Sequence, residues 1–189
     1  MSPAFDLIQF KEEILDGKVY YMSPSASPRH GEILLNIAIL FKNYLKGKKC
    51  KVFTDTIDIY LDDSGHNRVI PDVSILCDET KFTKRGYEGI PSLVVEVLSP
   101  TSINRDRKEK FHTYEKYGIK EYWIIDPLYN AVEQFVLENG KYELMETYIQ
   151  LESCDRERLT AKELESLKSE ITTSLFHDLN IKIEDIFGD

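Results

Sequence analysis

A single α/β domain, with a mixed β-sheet flanked by helices, is what this sequence predicts, on three observations. Leu93-Val94-Val95-Glu96-Val97-Leu98 and Tyr122-Trp123-Ile124-Ile125 are short apolar runs of the kind buried on both faces of a sheet. Between them, residues 104–117 carry Phe111, Tyr114 and Tyr117 at helical spacing and stop at Gly118, so a helix joins two buried strands, the signature of a parallel crossover. A length of 189 residues, 42% apolar and 30% charged, suits one domain with a real core and excludes a disordered or fibrous chain.

In chain order, Lys18-Val19-Tyr20-Tyr21-Met22 reads as a strand that ends in the turn-rich run Ser23-Pro24-Ser25-Ala26-Ser27-Pro28. Ser27 and Pro28 make a helix start, the serine as N-cap and the proline at the first position, where a missing N–H costs nothing. Ile33, Leu34, Ile37, Ala38, Phe41 and Leu45 then recur at three- and four-residue spacing as one apolar face, with Gly47 as the stop. Residues 51–61 and 68–77 alternate in part and flank Asp62-Asp63-Ser64-Gly65, which predicts an antiparallel hairpin.

A polar loop over residues 78–90 leads to the crossover. Beyond it, residues 131–137 and 141–148 flank Glu138-Asn139-Gly140, whose Asn-Gly pair suits a type I′ hairpin turn. Thr160-Ala161-Lys162-Glu163 is a capping box before a short helix, and a mixed segment ends in Ile186-Phe187. The core thus spans about residues 18–148, with a C-terminal appendage at about 149–189. The last third of the chain, appendage included, is acidic: from Pro127 onward there are 6 basic and 14 acidic residues, against 18 and 19 before it.

The formal net charge of −9 argues against a nucleic-acid partner until its distribution is considered. From Arg29 to Lys51 six Lys/Arg face one Glu, and from Arg105 to Lys110 four face two acids, which leaves room for a locally basic surface. No apolar run is long enough to span a membrane and the N-terminus carries acids where a signal peptide is basic, so a cytoplasmic protein is expected. Cys50, Cys77 and Cys154 are odd in number and without CxxC spacing, and read as free thiols.

Glu96 is the anomaly of its strand, because an unpaired buried carboxylate costs several kcal/mol or stays protonated. Asp72 follows Pro71 in a neighbouring strand candidate with apolar neighbours of its own. Two acids converging from adjacent strands can share a hard divalent cation, which takes one or two carboxylates and keeps several waters. Each acid alone has a plainer reading, a hydrogen-bonded strand glutamate and a strand-start turn. Glycine-rich phosphate loops, HExxH and Gly-x-Ser-x-Gly are absent, and Trp123 reads as core.

Pro71-Asp72-Val73-Ser74, residues 91–100, Lys110 with Tyr114, Gly118-Ile119 and residues 121–127 together resemble the Uma-two family of restriction-endonuclease-like proteins, within the PD-(D/E)XK nuclease superfamily. The resemblance covers about residues 18–148, with a weaker match over 176–187. It implies a restriction-endonuclease-like core with a C-terminal β-hairpin and tail, and a Mg²⁺- or Mn²⁺-dependent endonuclease acting on DNA, with Asp72 and Glu96 as metal ligands. The superfamily's lysine lies two residues after the glutamate, where this chain has Leu98. The resemblance points instead to Lys110 on the following helix, with Lys108 second, as the group that orients water or stabilises charge. It also points to His30 and Glu32 on the first helix. Asp58 is either a support behind the metal or a solvent-facing acid. The departure at Leu98 and the acidic tail keep a second reading open, a catalytically inactive nuclease-fold binding or interaction module. A homodimer is left open too.

Overall fold

The computed structural model describes residues 11–22 and 27–188. Of the expected turn run, Ser23-Pro24-Ser25-Ala26 lie outside the described residues. The chain opens with β1 (Glu12–Leu15) and β2 (Lys18–Tyr21), an antiparallel pair turned by Asp16 and Gly17. Both turn residues have positive φ, 48° and 79°, as a type I′ turn requires. Helix α1 (Pro28–Tyr44) starts as the sequence predicts: the Ser27 hydroxyl accepts from the His30 N–H, and Ile33, Ile37 and Phe41 form its buried face. It ends three residues before Gly47.

The expected hairpin over residues 51–77 forms, but it divides between two sheets. Its outer halves, β3 (Lys51–Thr54) and β6 (Val73–Leu76), pair in one sheet, and its inner halves, β4 (Ile59–Tyr60) and β5 (Arg68–Val69), pair in another. Pro71 lies at the division, where the lack of an N–H interrupts the ladder. Extending the β3–β6 register by one residue sets Cys50 opposite Cys77, and the two form a disulfide. This corrects the expectation of three free thiols. Counting cysteines ignores the register, which brings together two residues 27 apart, and only Cys154 remains free.

Next come β7 (Tyr87–Glu88) and β8 (Leu93–Val97), then a π-helical segment, Arg105–Lys110, that runs straight into α2 (Phe111–Tyr117). Gly118, at φ 78°, ends α2 and leads into β9 (Glu121–Asp126), which lies parallel to β8. That is the predicted crossover. Strands β10 (Ala131–Glu138) and β11 (Lys141–Ile149) form the predicted hairpin, and Asn139 and Gly140 take φ of 50° and 80°. The short helices α3 (Ser153–Arg156) and α4 (Ala161–Ser166), the latter with its capping box, precede a second hairpin, β12 (Glu170–Thr172) and β13 (Asn180–Lys182), and the helical turn α5 (Ile183–Phe187).

The main sheet runs β11-β10-β9-β8-β6-β3, and the second β2-β1-β5-β4-β7. Because side chains alternate along a strand, β8 serves two cores. Leu93, Val95 and Val97 face α1, where Trp123, Ile186 and Phe187 complete the cluster. Val94 and Leu98 face the other way, into a cluster with Tyr114, Tyr122 and the residues of the second sheet. Glu96 shares that second face. Among the described residues no helix is long and apolar enough to cross a membrane.

Candidate active site

The register of β6 on β8 decides the fate of the two predicted acids. Val73 lies opposite Val95, so Asp72, one residue before β6, lies opposite Glu96, and the pair points to the same face of the sheet. Asp72 Oδ2 accepts the Val97 N–H at 2.7 Å. Glu96 Oε1 accepts from Lys110 Nζ at 2.9 Å and from the Tyr114 hydroxyl at 2.7 Å. The crossover helix therefore delivers an ammonium to Glu96 although residue 98 is an apolar, buried leucine.

The site sits where both layers meet the end of the sheet. From the α1 side, His30 Nε2 lies 3.3 Å from Asp72 Oδ2; both side chains keep 13% of their surface exposed, so the site is open to solvent there. From the other side, Lys110 and Glu96 are almost wholly buried. Lys110 lies 2.9 Å from Glu13 Oε1, a residue of β1, and 3.7 Å from Asp106 Oδ1.

The electrostatics follow from this crowding. Burial pushes the Glu96 carboxyl well above the ordinary range; Lys110 pulls it down, and the charges of Asp72, Asp106 and Glu13 raise it further. Asp106 is raised for the same reasons, burial first. Burial would lower the Lys110 ammonium, but Glu13, Glu96, Asp106 and Asp72 outweigh it and hold it above its ordinary value, so it stays charged. His30 is raised, chiefly by its hydrogen bond to Asp72.

Four acids thus surround one buried lysine, with His30 and Arg105 at the edge, and the excess of negative charge suits an added cation. Each paired acid uses one oxygen on the protein, which leaves Asp72 Oδ1 and Glu96 Oε2 without a hydrogen bond among the described residues. Glu13 Oε2 and Asp106 Oδ1 are buried acceptors that lack one as well. No three His, Cys, Asp or Glu side chains among the described residues form a ready cage. The donor set fits an ion that takes two carboxylates and completes its shell with water, as Mg²⁺ does.

Of the residues expected from sequence, Asp72, Glu96, Lys110 and His30 converge. Glu32 does not: its side chain is 58% exposed and pairs with Arg29 at 3.2 Å. Asp58 stands 3.5 Å from Arg68, away from the cluster. The basic run on α1 and β3 is partly neutralised, Lys48 by Asp178 and Lys51 by Glu79. Sequence reasoning missed Glu13 and Asp106. The Asp16-Gly17 turn beside Glu13-Ile14-Leu15 could have revealed β1; Asp106, four residues before Lys110 in a charged stretch, offers no comparable signal.

A family profile described as "Uma2: Putative restriction endonuclease" matches residues 6–172. A segment of 104 residues, 55% of the chain, is 36% identical to uncharacterized protein slr1290 of Synechocystis sp., and covers 54% of it. Another of 128 residues, 66% of the chain, is 27% identical to uncharacterized protein sll1609 of the same organism and covers 71% of it. The match spans about half the length of the first relative. The crystal structure of "a putative nuclease belonging to DUF820" from Anabaena variabilis superposes with a TM-score of 0.67 over 93% of this chain and 89% of that one. At 17% identity that is a likeness of fold.

Proposed function

The chain belongs to the Uma2 (Uma-two) family of restriction-endonuclease-like proteins, and from that premise we propose that it is a Mg²⁺- or Mn²⁺-dependent endonuclease that hydrolyses DNA phosphodiester bonds. The observation that carries the reading is the cross-strand pair of Asp72 and Glu96 on one face, with Lys110 at 2.9 Å from the glutamate. Asp72 Oδ1 and Glu96 Oε2 would hold the ion. When bound, such an ion supplies Lewis-acid stabilisation of phosphate charge and a more acidic water.

The chain's own groups prepare the rest. The Val97 N–H and His30 both fix Asp72 Oδ2, and the Tyr114 hydroxyl fixes Glu96 Oε1, so neither acid must reorganise to bind. Lys110, kept charged, stands beside Glu96 to offset negative charge that grows on a phosphate. The opening beside Asp72 and His30 is the side from which a DNA backbone would approach.

Nicking of plasmid DNA with Mg²⁺ or Mn²⁺ tests this. Asp72→Ala and Glu96→Ala abolish nicking and Lys110→Ala severely reduces it; nicking that survives both acid changes overturns the assignment. The second reading, a nuclease fold kept for binding without turnover, is favoured by Lys110 being buried and held by Glu13, Glu96 and Asp106, as a structural lysine would be. It predicts a wild type that takes up no Mn²⁺ in a calorimetric titration.

A further inference from the structure

Glu13 comes from the second sheet and is fully buried. Its Oε1 lies 2.9 Å from Lys110 Nζ and accepts the Ile70 N–H at 3.0 Å. Ile70 leads through Pro71 into Asp72, and Lys110 abuts Glu96, so one carboxylate ties down the approach to both paired acids. Its Oε2 has no hydrogen bond among the described residues and stands 3.7 Å from Arg105 Nε; Arg105 also lies over the ring of Tyr20 in β2. The first hairpin is thus docked on the π-helical segment that carries Lys110.

The ammonium is equally distant, 2.9 Å, from Glu13 and Glu96, while Asp106 is farther at 3.7 Å. Without the charge on Glu13, the nearest anion left to Lys110 is Glu96, and a lysine that neutralises Glu96 competes with any other cation there. Building on the metal-site reading of Asp72 and Glu96, we propose that Glu13 is a positioning residue that draws the Lys110 ammonium partly off Glu96 and keeps that carboxylate open to a divalent ion. A purely structural glutamate would need only its acceptor for Ile70, which a glutamine also supplies.

The test is a double-mutant cycle on the full chain, with Mn²⁺ affinity read by calorimetry. Glu13→Gln weakens Mn²⁺ binding about tenfold. Lys110→Gln binds at least as tightly as wild type, and adding Glu13→Gln to it changes affinity by less than about twofold. Equal binding by wild type and Glu13→Gln overturns the proposal. So does a tenfold loss in both backgrounds, because Glu13 would then act on the ion directly. A wild type that takes up no Mn²⁺ fails the metal-site reading itself, a result distinct from a wild type and a Glu13→Gln protein that bind alike. If Glu13→Gln does not fold, the paired variant is read against Lys110→Gln alone, where a further tenfold loss overturns the proposal.

Discussion

Glu96 and Glu121 are both carboxylates set among apolar strand residues, on neighbouring parallel strands, and both are buried. Their surroundings differ. Glu121 lies level with Leu93, on the α1 side of the sheet, and accepts from four neutral donors: Trp123 Nε1 at 2.7 Å, Gln134 Nε2 at 2.8 Å, and the Ser174 N–H and hydroxyl. No cation among the described residues pairs with it. Glu96 has an ammonium, a phenol and three further acids near it. A glutamate in an apolar strand is therefore no sign of a reactive site by itself; neutral donors that satisfy it make a staple, whereas unbalanced charge and a spare acceptor are what set Glu96 apart.

The contrast can be broken in several ways. The largest effect is on turnover: Glu96→Gln lowers plasmid nicking on the order of a thousandfold, while Glu121→Ala leaves the rate per folded molecule unchanged. Loss of nicking in a folded Glu121→Ala protein would erase the distinction. The next effect is on stability, where Glu121→Ala strands the indole N–H and the Ser174 N–H and leaves Gln134 Nε2 with only the Thr172 carbonyl, and costs about 3 kcal/mol in urea unfolding. A smaller effect is protection by metal: Mn²⁺ at a hundred times its Kd stabilises wild type and Glu121→Ala by about 2.7 kcal/mol, and Asp72→Ala not at all.

The smallest is a pH slope. A carboxyl whose folded pKa is raised above its ordinary 4.5 contributes stability that is complete below that value and is lost as pH rises through the folded value. Metal-free wild type should thus lose stability with rising pH over that window relative to Glu96→Gln. The difference is damped by Lys110, which favours the charged form. Thermal melts of the two proteins across the window, without metal, read it directly; parallel curves would place Glu96 in a Glu121-like setting.

Much of this was legible in the sequence because it was local. Ser27-Pro28, Asn139-Gly140, Gly118 and the β8 run each specify a conformation on their own, and the crossover fixed β8 parallel to β9. Asp72 and Glu96 stood out because their neighbours are apolar and because both fall in the segments that resemble the family, and their shared face follows from the β6–β8 register. Glu13 and the Cys50–Cys77 bond were not, since both depend on long-range pairing: β1 on β5 for the one, the β3–β6 register for the other. Glu32 stands apart from the cluster because two positions after His30 on a helix is a rotation away from the sheet, toward Arg29 and solvent.

The underside of α1 is closed by Ile183, Ile186 and Phe187, and Asn36 and Arg29 on that helix donate to the carbonyls of Ile186 and Phe187. During synthesis α1 is complete by residue 44, yet the residues that cover it leave the ribosome more than a hundred residues later, on the order of ten seconds at about 5–20 residues per second. For that interval Ile33, Ile37 and Phe41 lack part of their native cover, so the apolar face of α1 is completed only when the C-terminal turn arrives.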